Sequence, residues 1–268
     1  MLRKRFLVMA AILVCLMLCL VPQFTHLTAR SVDERVAGEK VLILNYHKVD
    51  EAHISLSVHP ADFAAQMAYL ERHGYNTISP DELYDSLAGS KRLPTNPVLI
   101  TFDDGYADNY ANAYPILKEH GFKATIFVVS SFVGKYRHYL TWEQAREMEQ
   151  NGISIQSHTA THRSMTDLSD DQLRAELTES KQKIEAELGH PVDYIAYPTG
   201  TYNLHIAQMV KEAGYKAAFT IKYGNVDQAS NIYALERVPV FHTEDTNKSF
   251  KERLHYVPLF ESQGWVKN

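Results

Sequence analysis

From residue 41 to about residue 255, short apolar runs alternate with longer amphipathic segments, and this constrains the fold more than any other feature of the sequence. Residues 41–44 are an apolar run ending at Tyr46-His47 and read as a strand. Residues 61–73 place Phe63, Met67 and Leu70 at helical spacing and stop at Gly74. Pro80 opens a second helix to about Ala88. Residues 97–102 (PVLITF) have the β-branched, apolar content of a buried strand. A helix over 109–120 follows, closed by Gly121, then a strand over 124–129. Thr141 opens a helix to Gln150, with Gln144 completing a capping-box pattern. Strands at 153–156, 194–197, 216–220 and 235–240 are separated by helices, the longest running from Ser169 to Leu188 before Gly189 and Pro191. A last helix lies near 247–255. Such alternation predicts a mainly parallel sheet joined by crossover helices. Some seven strands favour a distorted (β/α)7-8 barrel, closed or incomplete, over an open sheet. Functional side chains in such folds gather at the C-terminal ends of the strands.

Three polar clusters stand at those ends. Asp103-Asp104-Gly105 ends the strand at 97–102, where two adjacent carboxylates are costly to bury unless something uses them. Neighbours on a strand point opposite ways, so one carboxylate can bind a cation while the other stays free as a base. A plain surface turn is the alternative. His158-Thr159-Ala160-Thr161-His162 spaces two imidazoles so that both can reach one metal. With Asp104 they would make a two-histidine, one-carboxylate set with open positions, the pattern of a catalytic site. Tyr46-His47 adds a titratable imidazole that could serve as a general acid. A capping or surface role is the plainer reading of that residue alone.

Charge and cysteine usage narrow the partners. The chain has 268 residues, with 27 Lys and Arg against 32 Asp and Glu, a net charge of −5. Residues 1–30 hold four basic residues and no acidic one, so the remainder stands at 23 against 32, or −9. A body that acidic argues against nucleic acid as partner. Leu2-Arg3-Lys4-Arg5 followed by a 16-residue uncharged run from Phe6 to Val21 matches an export signal, either cleaved or kept as an anchor. Both cysteines, Cys15 and Cys19, lie in that run, so no disulfide framework is expected in the body. The expected organisation is therefore a signal or anchor over 1–30 and one domain over 31–268. The expected location is outside the cytoplasm, at the cell surface, in the periplasm or in the medium, with membrane association possible through the first segment. A monomer is expected.

Three motifs in order, TFDDGY at 101–106, SHTATH at 157–162 and YPTG at 197–200, resemble those of the polysaccharide deacetylases of carbohydrate esterase family four. The resemblance covers roughly residues 40–245. LNYHKV at 44–49 and LERVPV at 235–240 look like the branch that deacetylates poly-β-1,6-N-acetylglucosamine. The resemblance implies Asp103 as catalytic base and Asp104, His158 and His162 as ligands of a divalent metal, most simply zinc, with cobalt or nickel also suited. It assigns the general acid to His47, with His242 as the alternative. Ala196 stands where the family's third motif usually begins with arginine, and Arg237 would supply that cation to Asp103 instead. A backbone N–H near Thr199 would help hold an oxyanion. Tyr197, Pro198 and Trp142 are sugar-facing or wall residues on this reading, or simply core. The implied reaction is removal of N-acetyl groups from a polysaccharide; peptidoglycan, chitin oligomers and acetylated xylan are the alternative substrates. A metallopeptidase would instead show His-Glu-x-x-His, and position 159 is threonine. An inactive glycan-binding module would have lost Asp103 or His47, and both are present.

Overall fold

Seven parallel strands close into a ring, and the C-terminal ends of those strands carry the polar clusters. The structure, a computed structural model, describes residues 40–255. The proposed signal segment, both cysteines and the last thirteen residues lie outside the described residues.

In chain order, β1 (Leu42–Tyr46) leads through the two-residue strands β2 (Lys48–Val49) and β3 (Ser57–Val58) to α1 (Pro60–Arg72). Then come β4 (Asn76–Thr77), α2 (Pro80–Leu87), β5 (Pro97–Phe102) and a π-helical turn over Asn109–Ala113 that runs into α3 (Tyr114–Glu119). Next are β6 (Ala124–Val128), α4 (Trp142–Glu149), β7 (Ile153–Ser157) and α5 (Asp170–Leu188). The rest is β8 (Tyr194–Ala196), α6 (Leu204–Glu212), β9 (Ala217–Tyr223), β10 (Leu235–Pro239) and α7 (Thr246–Leu254). Among these described helices none is long and apolar enough to cross a membrane.

The ring runs β1-β10-β9-β8-β7-β6-β5, and β5 returns to β1 over its length, from Leu42 opposite Val98 to Tyr46 opposite Phe102. The expected parallel (β/α) barrel is therefore present, and it is closed rather than incomplete. β4 stands outside the ring. It pairs with the first half of β5 (Asn76↔Pro97, Thr77↔Val98) on the edge that β6 takes at the second half (Thr101↔Thr125, Phe102↔Ile126).

Two apolar clusters follow from strand alternation. Ile43, Leu99, Phe127, Ala196, Phe219 and Leu235 pack together as the fill of the barrel. Leu44, Ile100, Phe102, Ile126 and Ile155 face the other way and pack against helix residues such as Phe63, Met67, Leu117 and Met148. Moving two residues toward the C-terminal end of β1, β5 and β10, the inward series turns polar: Ile43 gives way to Asn45, Leu99 to Thr101 and Asp103, and Leu235 to Arg237. A register shift between Leu235 and Arg237 sets Arg237 opposite Tyr223. Arg237 caps the apolar fill, its guanidinium 5.7 Å over the ring of Phe127.

Candidate active site

Asp103 sits at the centre of this polar layer, 1% exposed. Arg237 grips it with two bonds, Nη1 to Oδ1 at 2.8 Å and Nη2 to Oδ2 at 2.7 Å. Asn45 Nδ2 donates to the same Oδ2 at 3.0 Å. Arg237 is in turn held by Nε donating to the Thr220 carbonyl (2.7 Å) and by Nη1 donating to Thr101 Oγ1 (3.2 Å). Burial alone would raise the Asp103 pKa; the guanidinium beside it, with His158 and His47 nearby, instead holds it well below the usual carboxylate range. His47 Nε2 lies 4.0 Å from Asp103 Oδ2. Asn109 Nδ2 donates to the His47 carbonyl at 2.8 Å, fixing the backbone there.

Asp104 turns away from Asp103 at φ 74°. Its Oδ1 is 3.1 Å from His162 Nε2 and 3.5 Å from His158 Nε2. One ligand atom from each of the three residues lies within 4.8 Å of the others. His158 Nδ1 pairs with the Ala196 carbonyl at 2.8 Å, so that ring nitrogen keeps the proton and Nε2 is left as a lone-pair donor. Two imidazoles and one carboxylate, oriented this way, fit a divalent cation such as Zn²⁺, Co²⁺ or Ni²⁺. Burial pushes the His158 pKa down, whereas the Asp104 carboxylate pulls that of His162 up.

Five non-glycine residues have positive φ among the described residues, and four belong to this mouth: Asp104, Thr159 (66°), His162 (61°) and Thr199 (58°). Each such conformation costs on the order of 1–3 kcal/mol and persists only where the surroundings impose it. Gly105 shares the turn at φ 77°, where a Cβ would meet Val128 Cγ1 at 2.8 Å.

The remaining expected residues are placed less centrally. Tyr197 is buried, its hydroxyl donating to the Tyr233 carbonyl at 2.9 Å and its ring stacked on Tyr202. Trp142 and Pro198 are buried as well, and Trp142 and Tyr197 pack in the outer apolar cluster. His242 is held by its N–H donating to the Ser55 carbonyl, with its ring against His53 at 5.6 Å.

The family model for polysaccharide deacetylases matches residues 90–218. YxkH of Bacillus subtilis (strain 168), a polysaccharide deacetylase by name, is 40% identical over 201 residues, covering 75% of this chain and 71% of that protein. The chain belongs to the polysaccharide deacetylase family. The poly-β-1,6-N-acetyl-D-glucosamine N-deacetylase of Staphylococcus aureus (strain MRSA252) is 26% identical over 226 residues, covering 74% of this deacetylase and 77% of the relative. The solved structure of Streptococcus pyogenes deacetylase PplD, in complex with acetate, superposes with a TM-score of 0.76 at 30% identity. It covers 80% of this chain and 98% of that one.

Sequence reasoning gave no role to Asn45 and Thr101, although both stand in the quoted motifs, and missed Glu176 in this deacetylase. The first two had a signal, a polar residue inside an apolar strand run. Glu176 had one too: Leu173, Glu176, Leu177, Ser180 and Ile184 are the buried face of α5, and Glu176 interrupts its apolar stripe.

Proposed function

We propose that this deacetylase is a metal-dependent hydrolase that removes N-acetyl groups from N-acetylglucosamine units of an extracellular polysaccharide, with poly-β-1,6-N-acetylglucosamine as the preferred substrate. The observation that carries the reading is the convergence of Asp104, His158 and His162 beside an ion-paired Asp103. The choice of glycan is supported by the staphylococcal relative and by His47, just past the end of β1, and Arg237, in β10. Asp104, His158 and His162 would hold a divalent cation, which would supply Lewis-acid polarisation of the acetamide carbonyl and acidification of a water. Asp103 is the base: Arg237 keeps it ionised, and Asn45 and Arg237 fix its orientation. His47 donates the proton that lets the amine depart, leaving glucosamine and acetate. A backbone N–H near Thr199 helps hold the oxyanion. The basic-then-apolar start supports export, with a single domain acting as a monomer.

The test is acetate release from poly-β-1,6-N-acetylglucosamine, chitin oligomers, peptidoglycan and acetylated xylan, before and after chelation. Activity on the first, abolished by chelator and restored by Zn²⁺ or Co²⁺, is expected; full activity in metal-free protein would end the mechanism. His47→Ala should lower the rate on the order of 10²–10⁴-fold without loss of metal content. Near-normal His47→Ala with an inactive His242→Ala would move the acid to His242. Fractionation of cells carrying the tagged full chain checks export, which a purely cytosolic product refutes.

A further inference from the structure

Glu176 is a buried carboxylate beside the triad to which the mechanism gives no role. It projects from α5, 6% exposed. Its Oε2 accepts two successive backbone N–H groups, Ala160 at 2.9 Å and Thr161 at 2.8 Å, and the Thr161 hydroxyl donates to Oε1. Both residues lie between His158 and His162. The same segment is bent twice into the left-handed region, at Thr159 and His162, and its other internal tie is the His162 N–H donating to Thr159 Oγ1 at 3.2 Å. A β-branched residue and an imidazole hold such conformations only when something outside the segment imposes them. On the strand side, Ser130 and Ser131 donate to the Thr159 and Ala160 carbonyls. On the helix side, the N–H groups are met by Glu176.

We infer that Glu176 is a positioning residue for the metal-binding histidines: its carboxylate clamps the 158–162 segment from α5 so that His162 Nε2 meets Asp104 Oδ1. The inference rests on reading Asp104, His158 and His162 as the metal site. It acts through hydrogen bonds rather than through charge. A glutamine can make the same three: its carbonyl oxygen accepts both N–H groups and its amide donates to Thr161 Oγ1. An alanine makes none. Partners that orient metal ligands in this indirect way are commonly worth ~10- to 100-fold in metal affinity.

The experiment measures Zn²⁺ affinity of the metal-stripped chain by competition with a chromogenic chelator, together with the visible spectrum of the Co²⁺-loaded protein. Glu176→Ala should bind Zn²⁺ ~10- to 100-fold more weakly and shift the Co²⁺ bands. Glu176→Gln should stay within about threefold of the parent, with an unchanged spectrum. Thr161→Val removes one of the three bonds from an exposed side chain and should lose about 2- to 10-fold. Parental affinity in a folded Glu176→Ala overturns the inference alone, as does a Glu176→Gln loss as large as that of Glu176→Ala. Should Glu176→Ala not fold, parental affinity in Thr161→Val overturns it. A parent chain that binds neither cation overturns the metal-site reading and this inference with it.

Discussion

A guanidinium with no exposure is tolerable only when its donors are met, and Arg237 meets them with Asp103, Thr101 and the Thr220 carbonyl. Deleting one member of such a pair strands the other, at about 3–5 kcal/mol. Arg237→Met should therefore lose about that much stability in denaturant unfolding, and the pH dependence should reverse in chelator-treated protein. In the parent, Asp103 has a folded pKa below its unfolded value of about 3.9. Its contribution is thus fully present above about pH 4 and lost only as pH falls through the folded value. In Arg237→Met, burial raises the Asp103 pKa instead, so the variant should gain stability relative to the parent as pH drops from 7 toward 4. A parallel pair of stability curves would contradict this. Motifs made the polar ends of β5 and β7 visible in the sequence, because unusual residue types sat side by side. A polar residue in an apolar run marked Asn45, Thr101 and Glu176 as unusual, but their roles stayed hidden because their partners are 58, 136 and about 15 residues away.

The elements themselves were largely legible. The strand at 97–102 and the capping box of Thr141 with Gln144 stand where the sequence predicts them. β4, β2 and β3 escaped because two-residue strands carry no periodicity; β4 exists only because β5 leaves a half-edge free below β6. The single helix expected over 109–120 is a π-helical turn followed by α3, the break falling just before Pro115, which has no N–H to continue an α-helical ladder. The link from β5 to the site is equally local: Gly105 lets the chain turn at φ 77° while touching Val128 of β6. Gly105→Ala adds a left-handed alanine and an overpacked contact, together about 2–5 kcal/mol. Thermal unfolding should show that loss, and Zn²⁺ affinity should fall with it because Asp104 is next in the chain. A variant with unchanged midpoint and affinity would refute the packing argument.

For the whole molecule, the seam of the barrel is the pairing of β1 with β10 (Leu44↔Val238, Asn45↔Pro239). A chain cut after residue 234 lacks β10, exposes the edges of β1 and β9, and leaves Asp103 without Arg237. Circular dichroism and denaturant titration should show loss of the cooperative transition, together with loss of acetate release; a cooperatively folded fragment would show that closure is dispensable. The seam also imposes an order in time. Asp103 and Arg237 are 134 residues apart. At roughly 5–20 residues per second, a ribosome needs about 7–27 s to travel from one to the other. Throughout that interval the nascent polypeptide holds a carboxylate that it cannot enclose. The ion pair of Asp103 with Arg237, and the polar layer built around it, is therefore complete only once β10 has joined the ring.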